Sequence, residues 1–288
     1  MSAWCSSAPP NVSNSPRLSS LYRTALVTGA SRGLGLAFTE MLLAEGVQVW
    51  GTARNVANLQ ALTGKPGFHP VALDLKAGDA AEAAFNDAAK EAGGFDIVIN
   101  NAGYGVFGGF AVTDFAVWRE QLEVMLINTA RLSHAALRDM RARSTPSVLI
   151  NISSLAAEFP LPFQSAYNMA KAGLSALNES LMIEAAGTPI AILDVRPGDY
   201  RTDFESSVTR PEGESTVAMA RAWRNFTRMM QTGPAPEHAA QALRRALLKR
   251  RSGTVRCGRI FQATIAPFLA RFGSLTLKRR IQARYFDL

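Results

Sequence analysis

TALVTGASRGLG, residues 24–35, passes from a short apolar run into a turn whose glycines, Gly29, Gly33 and Gly35, recur in a GxxxGxG spacing. A turn packed against a diphosphate needs residues without side chains, and the helix that follows offers free N–H groups and the positive end of its dipole. Glycine turns between a strand and a helix also serve packing alone. What decides the reading is position, since a dinucleotide site in an open α/β sheet lies at the first strand–helix turn.

Outward from this turn one pattern repeats. Short apolar or β-branched runs occur at 24–28, 47–52, 70–73, 97–100, 148–152 and 190–195, with a seventh candidate at 254–257. Helical periodicity fills 33–45, 79–92, 114–143 and 164–186. Near-continuous apolar strands alternating with amphipathic helices indicate a parallel sheet covered on both faces. The expected fold is α/β: a doubly wound, Rossmann-like, seven-stranded parallel sheet in a single domain over residues 23–257. No linker or internal repeat interrupts it. Residues 203–233 read as irregular, rich in Arg and Met, and placed after the sixth strand where a substrate lid belongs.

The composition excludes several classes. Of 288 residues 48% are hydrophobic and 19% charged, too apolar for a disordered chain. No apolar run approaches the ~18 residues that cross a bilayer. Cys5 and Cys257 cannot build a disulfide scaffold, and His69, His134 and His238 lack metal-site spacing, so no metal is expected. Residues 1–22, rich in Ser, Pro and Asn, lack the apolar core of a secretory signal and read as a mobile arm.

The net charge of +8 is not evenly spread. Residues 244–288 hold 12 of the 31 Lys/Arg and one of the 23 acids, so the rest of the chain is close to neutral. Within the extension 258–288, Phe261, Ile265, Phe268, Leu269, Phe272, Leu275 and Ile281 recur at helical steps. Such a basic amphipathic helix either packs on the body or rests on an anionic membrane surface. No nucleic-acid-binding module accompanies it.

At the end of the second strand an NAD site carries a carboxylate for the adenosine ribose. This chain has Ala53 and then Arg54, with Arg32 inside the glycine turn. Two guanidiniums without an acid suit a 2′-phosphate, so NADP(H) is the expected coenzyme. Tyr167 and Lys171 form YxxxK, an i, i+4 pair on one helix face. A nearby ammonium lowers the pKa of a phenol, which suits proton exchange with a substrate oxygen. Ser153 and Ser154 end the fifth strand, where a hydroxyl can steady that oxygen.

Taken together, TGASRGLG (28–35), NNAG (100–103), Asn128 of INTA, ISS (152–154), YNMAK (167–171) and RPGDYRT (196–202) resemble, in order and spacing, the short-chain dehydrogenase/reductase family of the common single-domain type. The likeness covers residues 23–205. It implies a catalytic set of Asn128, Ser154, Tyr167 and Lys171, with Ser154 selected because the family's serine stands 13 residues before its tyrosine. Tyr167 would be the acid/base, Lys171 would lower its pKa and hold the nicotinamide ribose, and Asn128 would position a relay water. Coenzyme contacts are implied for Gly29, Ser31, Arg32, Gly33, Leu34 and Gly35, for Arg54 and for the adenine-contacting Asp74. Asn101, Ala102 and Gly103 would stand beside the adenine, and Pro197, Gly198 and Thr202 at the carboxamide. The chain departs from the family in lacking a glycine after Asn128 and in running past the usual end.

The implied activity is hydride transfer between NADP(H) and a hydrophobic ketone, aldehyde or secondary alcohol. Tyr104, Phe107, Phe110, Phe159, Leu161, Phe163, Tyr200 and Phe204 are candidate pocket residues. The helices at 114–143 and 164–186 resemble those that pair across a family dimer, so a homodimer or homotetramer is expected. The expected location is cytoplasmic, with peripheral membrane attachment through the C-terminal helix as the variant reading. Two rivals share the binding features: an NADP(H)-binding sensor or scaffold without chemistry, and a membrane-surface lipid reductase.

Overall fold

The computed structural model describes residues 16–211, 216–270 and 272–288. Seven parallel strands form one sheet: β1 (Thr24–Val27), β2 (Gln48–Ala53), β3 (Phe68–Ala72), β4 (Ile97–Asn100), β6 (Ser147–Ile152), β7 (Ile190–Pro197) and β9 (Gly253–Cys257). Their order is β3-β2-β1-β4-β6-β7-β9, with every neighbouring pair parallel. The order reverses at β1 and β4, so the switch point lies between the glycine turn and the end of β4, where ligands bind in this architecture.

The central strands β1, β4, β6 and β7 are buried at every residue, which is why they read as unbroken apolar runs. On one face α1 (Gly33–Ala44) and α7 (Pro236–Lys249) pack together through Phe38, Leu42, Leu243 and Leu247. On the other, α2 (Gly78–Ala92), α4 (Asn128–Arg143) and α5 (Ser165–Glu184) cover Val98, Leu149 and Ile192. Single-domain, doubly wound and Rossmann-like, the fold matches the sequence expectation.

Four details differ from it. The expected mobile arm falls largely on residues 1–15, outside the described part, but Leu18 and Tyr22 are buried against the core. The Tyr22 hydroxyl donates to the Leu247 carbonyl at 3.2 Å, which ties the chain's entry to α7. The helix expected at 114–143 is α3 (Phe115–Leu122) and α4 joined by a π-turn at Glu123–Ile127, a one-residue insertion that side-chain periodicity does not reveal. Residues 203–233 are not irregular throughout. They hold β8 (Val208–Thr209), paired in parallel with β5 (Gly105–Val106), and the amphipathic helix α6 (Val217–Gln231). Thr216 caps α6 through the Met219 N–H, and Ala222, Phe226, Met229 and Met230 face inward.

The C-terminal extension is not one helix. A π-turn at Phe261–Ile265 leads into α8 (Ala266–Leu269), and α9 (Leu275–Tyr285) begins afresh after Gly273, with the Ser274 hydroxyl accepting from Leu277 N–H at 3.2 Å. Phe286 is buried, whereas Phe268, Leu269, Phe272, Leu275 and Ile281 stay exposed. Among the described residues no helix is long and apolar enough to cross a membrane.

Candidate active site

The glycine turn is held from both sides. Asn101 donates through its side-chain amide to the Thr28 carbonyl at 3.0 Å, and the Thr28 hydroxyl accepts from the Asn101 and Ala102 N–H groups at 2.9 and 3.0 Å. Gly29 has φ +67°, a conformation other residues adopt only under strain, and a Cβ on Gly35 would overlap the Gly29 carbonyl oxygen. Arg32 precedes α1 in extended backbone without a side-chain cap, so the first N–H groups of the helix face the turn unsatisfied by a side chain. Bare turn and open amides together fit a dinucleotide diphosphate.

This turn forms one end of a cleft of about 1220 Å³ along the carboxyl edge of the sheet. Of the implied coenzyme contacts, Gly29, Ser31, Arg32, Gly33, Leu34, Arg54, Asp74, Asn101, Ala102, Gly103, Pro197, Gly198 and Thr202 all line it. Gly35 does not; it sits under the turn and lets helix and strand approach. The Arg32 guanidinium donates to the Ser206 hydroxyl at 3.4 Å.

Ser154, Tyr167 and Lys171 line the same cleft. Ser154 follows β6 in extended backbone, and its hydroxyl accepts from Ala156 N–H at 3.0 Å. Ser153 beside it turns inward and donates to Asp194 at 2.5 Å. Tyr167 and Lys171 lie on α5, one turn apart, and Lys171 donates to the Ile152 carbonyl at 2.7 Å. The Tyr167 ring meets Phe204 edge-on, with centroids 5.9 Å apart.

Burial pushes the Tyr167 phenol up to about 12, against the lowering expected from the sequence. The Ser154 hydrogen bond works the other way, and the Asp199 charge adds to the rise. Burial also brings Lys171 down to about 8, opposed by the carboxylate of Asp194. Desolvation by burial therefore dominates the phenol's shift, and Lys171 is not among its causes. Asn128 is buried at the start of α4, outside the cleft lining, and its amide donates to the Leu75 carbonyl at 2.8 Å.

Among the candidate pocket residues, Tyr104, Phe159, Leu161, Tyr200 and Phe204 line the cleft. Phe107 and Phe163 do not; they pack on each other at 5.6 Å, and Phe107 packs on Trp223 at 5.1 Å. Phe110 also lies outside, stacked on Trp118. Sequence reasoning did not place Asp199, Met229, Met230, Phe261, Gln262, Leu277 and Ile281 in the cleft, which they also line. Asp199 stands inside the quoted RPGDYRT; burial raises its carboxyl, while the Gln262 amide, donating at 2.5 Å, stabilises the charge.

A family model described as short chain dehydrogenase matches residues 23–213. The chain belongs to the short-chain dehydrogenase/reductase family. It is an oxidoreductase.

An uncharacterized oxidoreductase of Schizosaccharomyces pombe is 32% identical over 223 residues, covering 75% of this chain and 76% of the relative. A 3-oxoacyl-[acyl-carrier-protein] reductase of Vibrio cholerae is 32% identical over 204 residues, covering 70% and 83%. In structure, a short-chain dehydrogenase from Streptomyces avermitilis superposes with a TM-score of 0.78 at 29% identity, over 90% of this chain and 96% of that one. The family match ends at residue 213, so α6, α7 and the C-terminal extension lie beyond it.

Proposed function

We propose that this short-chain dehydrogenase/reductase reduces an apolar ketone or aldehyde to the alcohol with NADPH. The observation that carries the reading is the convergence of Ser154, Tyr167 and Lys171 on one cleft that the glycine turn also lines. Bound nicotinamide coenzyme supplies the hydride to the carbonyl carbon. The Tyr167 hydroxyl supplies the proton to the oxygen, and the Ser154 hydroxyl donates a hydrogen bond as negative charge gathers there. A phenol held near 12 keeps its proton at neutral pH, as a donor in the reductive direction must. Lys171, one turn from Tyr167 on α5 and lining the same cleft, would hold the ribose of the bound coenzyme and return a proton toward Tyr167.

Arg32 and Arg54 support a 2′-phosphate because both line the cleft and no carboxylate replaces Ala53 at the end of β2. Phe159, Leu161, Phe204, Met229 and Ile281 make the substrate end apolar. The family's helices α4 and α5, with the π-turn before α4, offer the surface for a homodimer, where Ile127 of that turn and Met169 of α5 are exposed. A sensor without chemistry is disfavoured because the serine, tyrosine and lysine are all present and face one cleft.

The test is NADPH consumption against a panel of ketones and aldehydes, with NADH as the control. Turnover with apolar carbonyls and a clear preference for NADPH is the expected result. No turnover across the panel, or equal use of NADH, would overturn the reading.

A further inference from the structure

The substrate end of the cleft is built largely by residues beyond the family match. Phe261, Leu269, Phe272, Leu277 and Ile281 line the same cavity as Ser154 and Tyr167, yet each is more than half exposed. Phe268 and Leu275 extend this apolar surface outside the cavity, and Phe272 is 77% exposed. The cleft therefore opens through an apolar rim rather than the polar rim usual for a pocket facing water.

The same segment is basic. Residues 258–288 carry six Lys/Arg and one acid, Asp287. Arg259, Arg279, Arg280 and Arg284 are exposed. Arg280 and Arg284 join Arg221 of α6 around a shallow groove, with Asp287 at its edge. None of these three guanidiniums takes part in an ion pair with a carboxylate among the described residues. Apolar side chains flanked by unpaired cations match a lipid surface bearing negative headgroups: the chains enter the acyl boundary and the guanidiniums meet phosphate.

We propose that α8, α9 and the turn between them dock this protein on an anionic membrane, with the cleft mouth against the lipid, so that an apolar carbonyl compound enters from the bilayer. Charge complementarity selects the bilayer over a second copy of the chain, whose matching face would carry the same positive charge. The docking stands apart from the catalytic reading; only the entry route rests on it.

The test is flotation of the full chain with phosphatidylcholine vesicles, alone and with about 30 mol% phosphatidylglycerol. The chain should float only with the anionic vesicles, and about 0.5 M salt should release most of it. Arg280→Glu with Arg284→Glu should lower the bound fraction about tenfold or more, and so should Phe268→Ser, each with an unchanged melting temperature. Should a variant misfold, the lipid and salt dependence of the natural chain still decides the question. Failure to float, or equal flotation with neutral vesicles, overturns the proposal. So does a dimer in light scattering that Phe268→Ser dissociates, because a second copy would then cover the face. Flotation needs no turnover, so this outcome is separate from that of the carbonyl screen.

Discussion

The Lys171 ammonium stands 5.6 Å from the centre of the Tyr167 ring, anchored to the last carbonyl of β6 rather than to the phenol oxygen. It faces the Tyr167 ring without bonding the phenol oxygen. Because burial brings Lys171 to about 8, its charge is lost as pH rises through that value, while Tyr167 stays protonated until about 12. Carbonyl reduction should therefore fall on an alkaline limb near pH 8. Lys171→Arg keeps the cation at all accessible pH and should remove that limb from the kcat/KM profile, at whatever cost to its height. An unchanged limb in the arginine variant would assign it to another group.

The Ser154 hydroxyl lines the cleft together with Tyr167, and in the proposed reading it meets the substrate oxygen. Ser154→Ala should lower kcat by about 10²–10³, the usual loss on removing one oxyanion donor, with little change in coenzyme affinity. Steady-state kinetics with a coenzyme titration separates the two quantities. A loss below about threefold would remove Ser154 from the chemistry.

Behind the catalytic edge, Asp194 is fully buried and accepts from Ser153, Ser175, Asn178 and Arg196. Arg196 also pairs with Glu158, beyond Ser154, at 2.7 Å, so one buried network joins β6, α5 and β7 under the site. Arg196→Met would strand the Asp194 charge and should cost about 3–5 kcal/mol. A thermal scan should show a fall of roughly 10 °C. Adding Asp194→Asn should recover part of it, since the stranded charge is the source of the loss; no recovery would place the cost in packing.

In the proposed reading, coenzyme choice rests on charge at the end of β2, where Arg54 follows Ala53. Arg54→Asp should raise the KM for NADPH by about tenfold or more and favour NADH in relative terms, because a carboxylate repels the 2′-phosphate and accepts from ribose hydroxyls. Kinetics with both coenzymes reads the ratio. An unaltered ratio would move the selectivity to Arg32.

Most of the sheet is legible in the sequence because its central strands are buried on both faces and leave continuous apolar runs such as Ile97–Asn100. The helix α7 is not, since its inward face is largely alanine, Ala239, Ala240 and Ala246, with Leu243 and Leu247. The amphipathic step of α6 is present in Ala222, Phe226, Met229 and Met230 but is obscured by the arginines between them. That Ser154, Tyr167 and Lys171 share one cleft is legible because short-range motifs place them just after β6 and on α5. The substrate end is not, because Asp199 meets Gln262 from 63 residues away, and no local pattern reports such a contact. The same limit misplaces Phe107 and Phe163, which lie near the site in sequence but pack on each other. The phenol's pKa departs from the sequence expectation for a related reason: the lysine is visible in the sequence, and the burial is not.

Tyr167→Phe tests the central claim most directly, since it removes one oxygen and leaves the ring against Phe204. Turnover of an apolar ketone should fall by about 10³ or more, while the dissociation constant for NADPH stays within about threefold of the natural chain. Turnover that persists within about tenfold, with coenzyme still bound, would contradict the account.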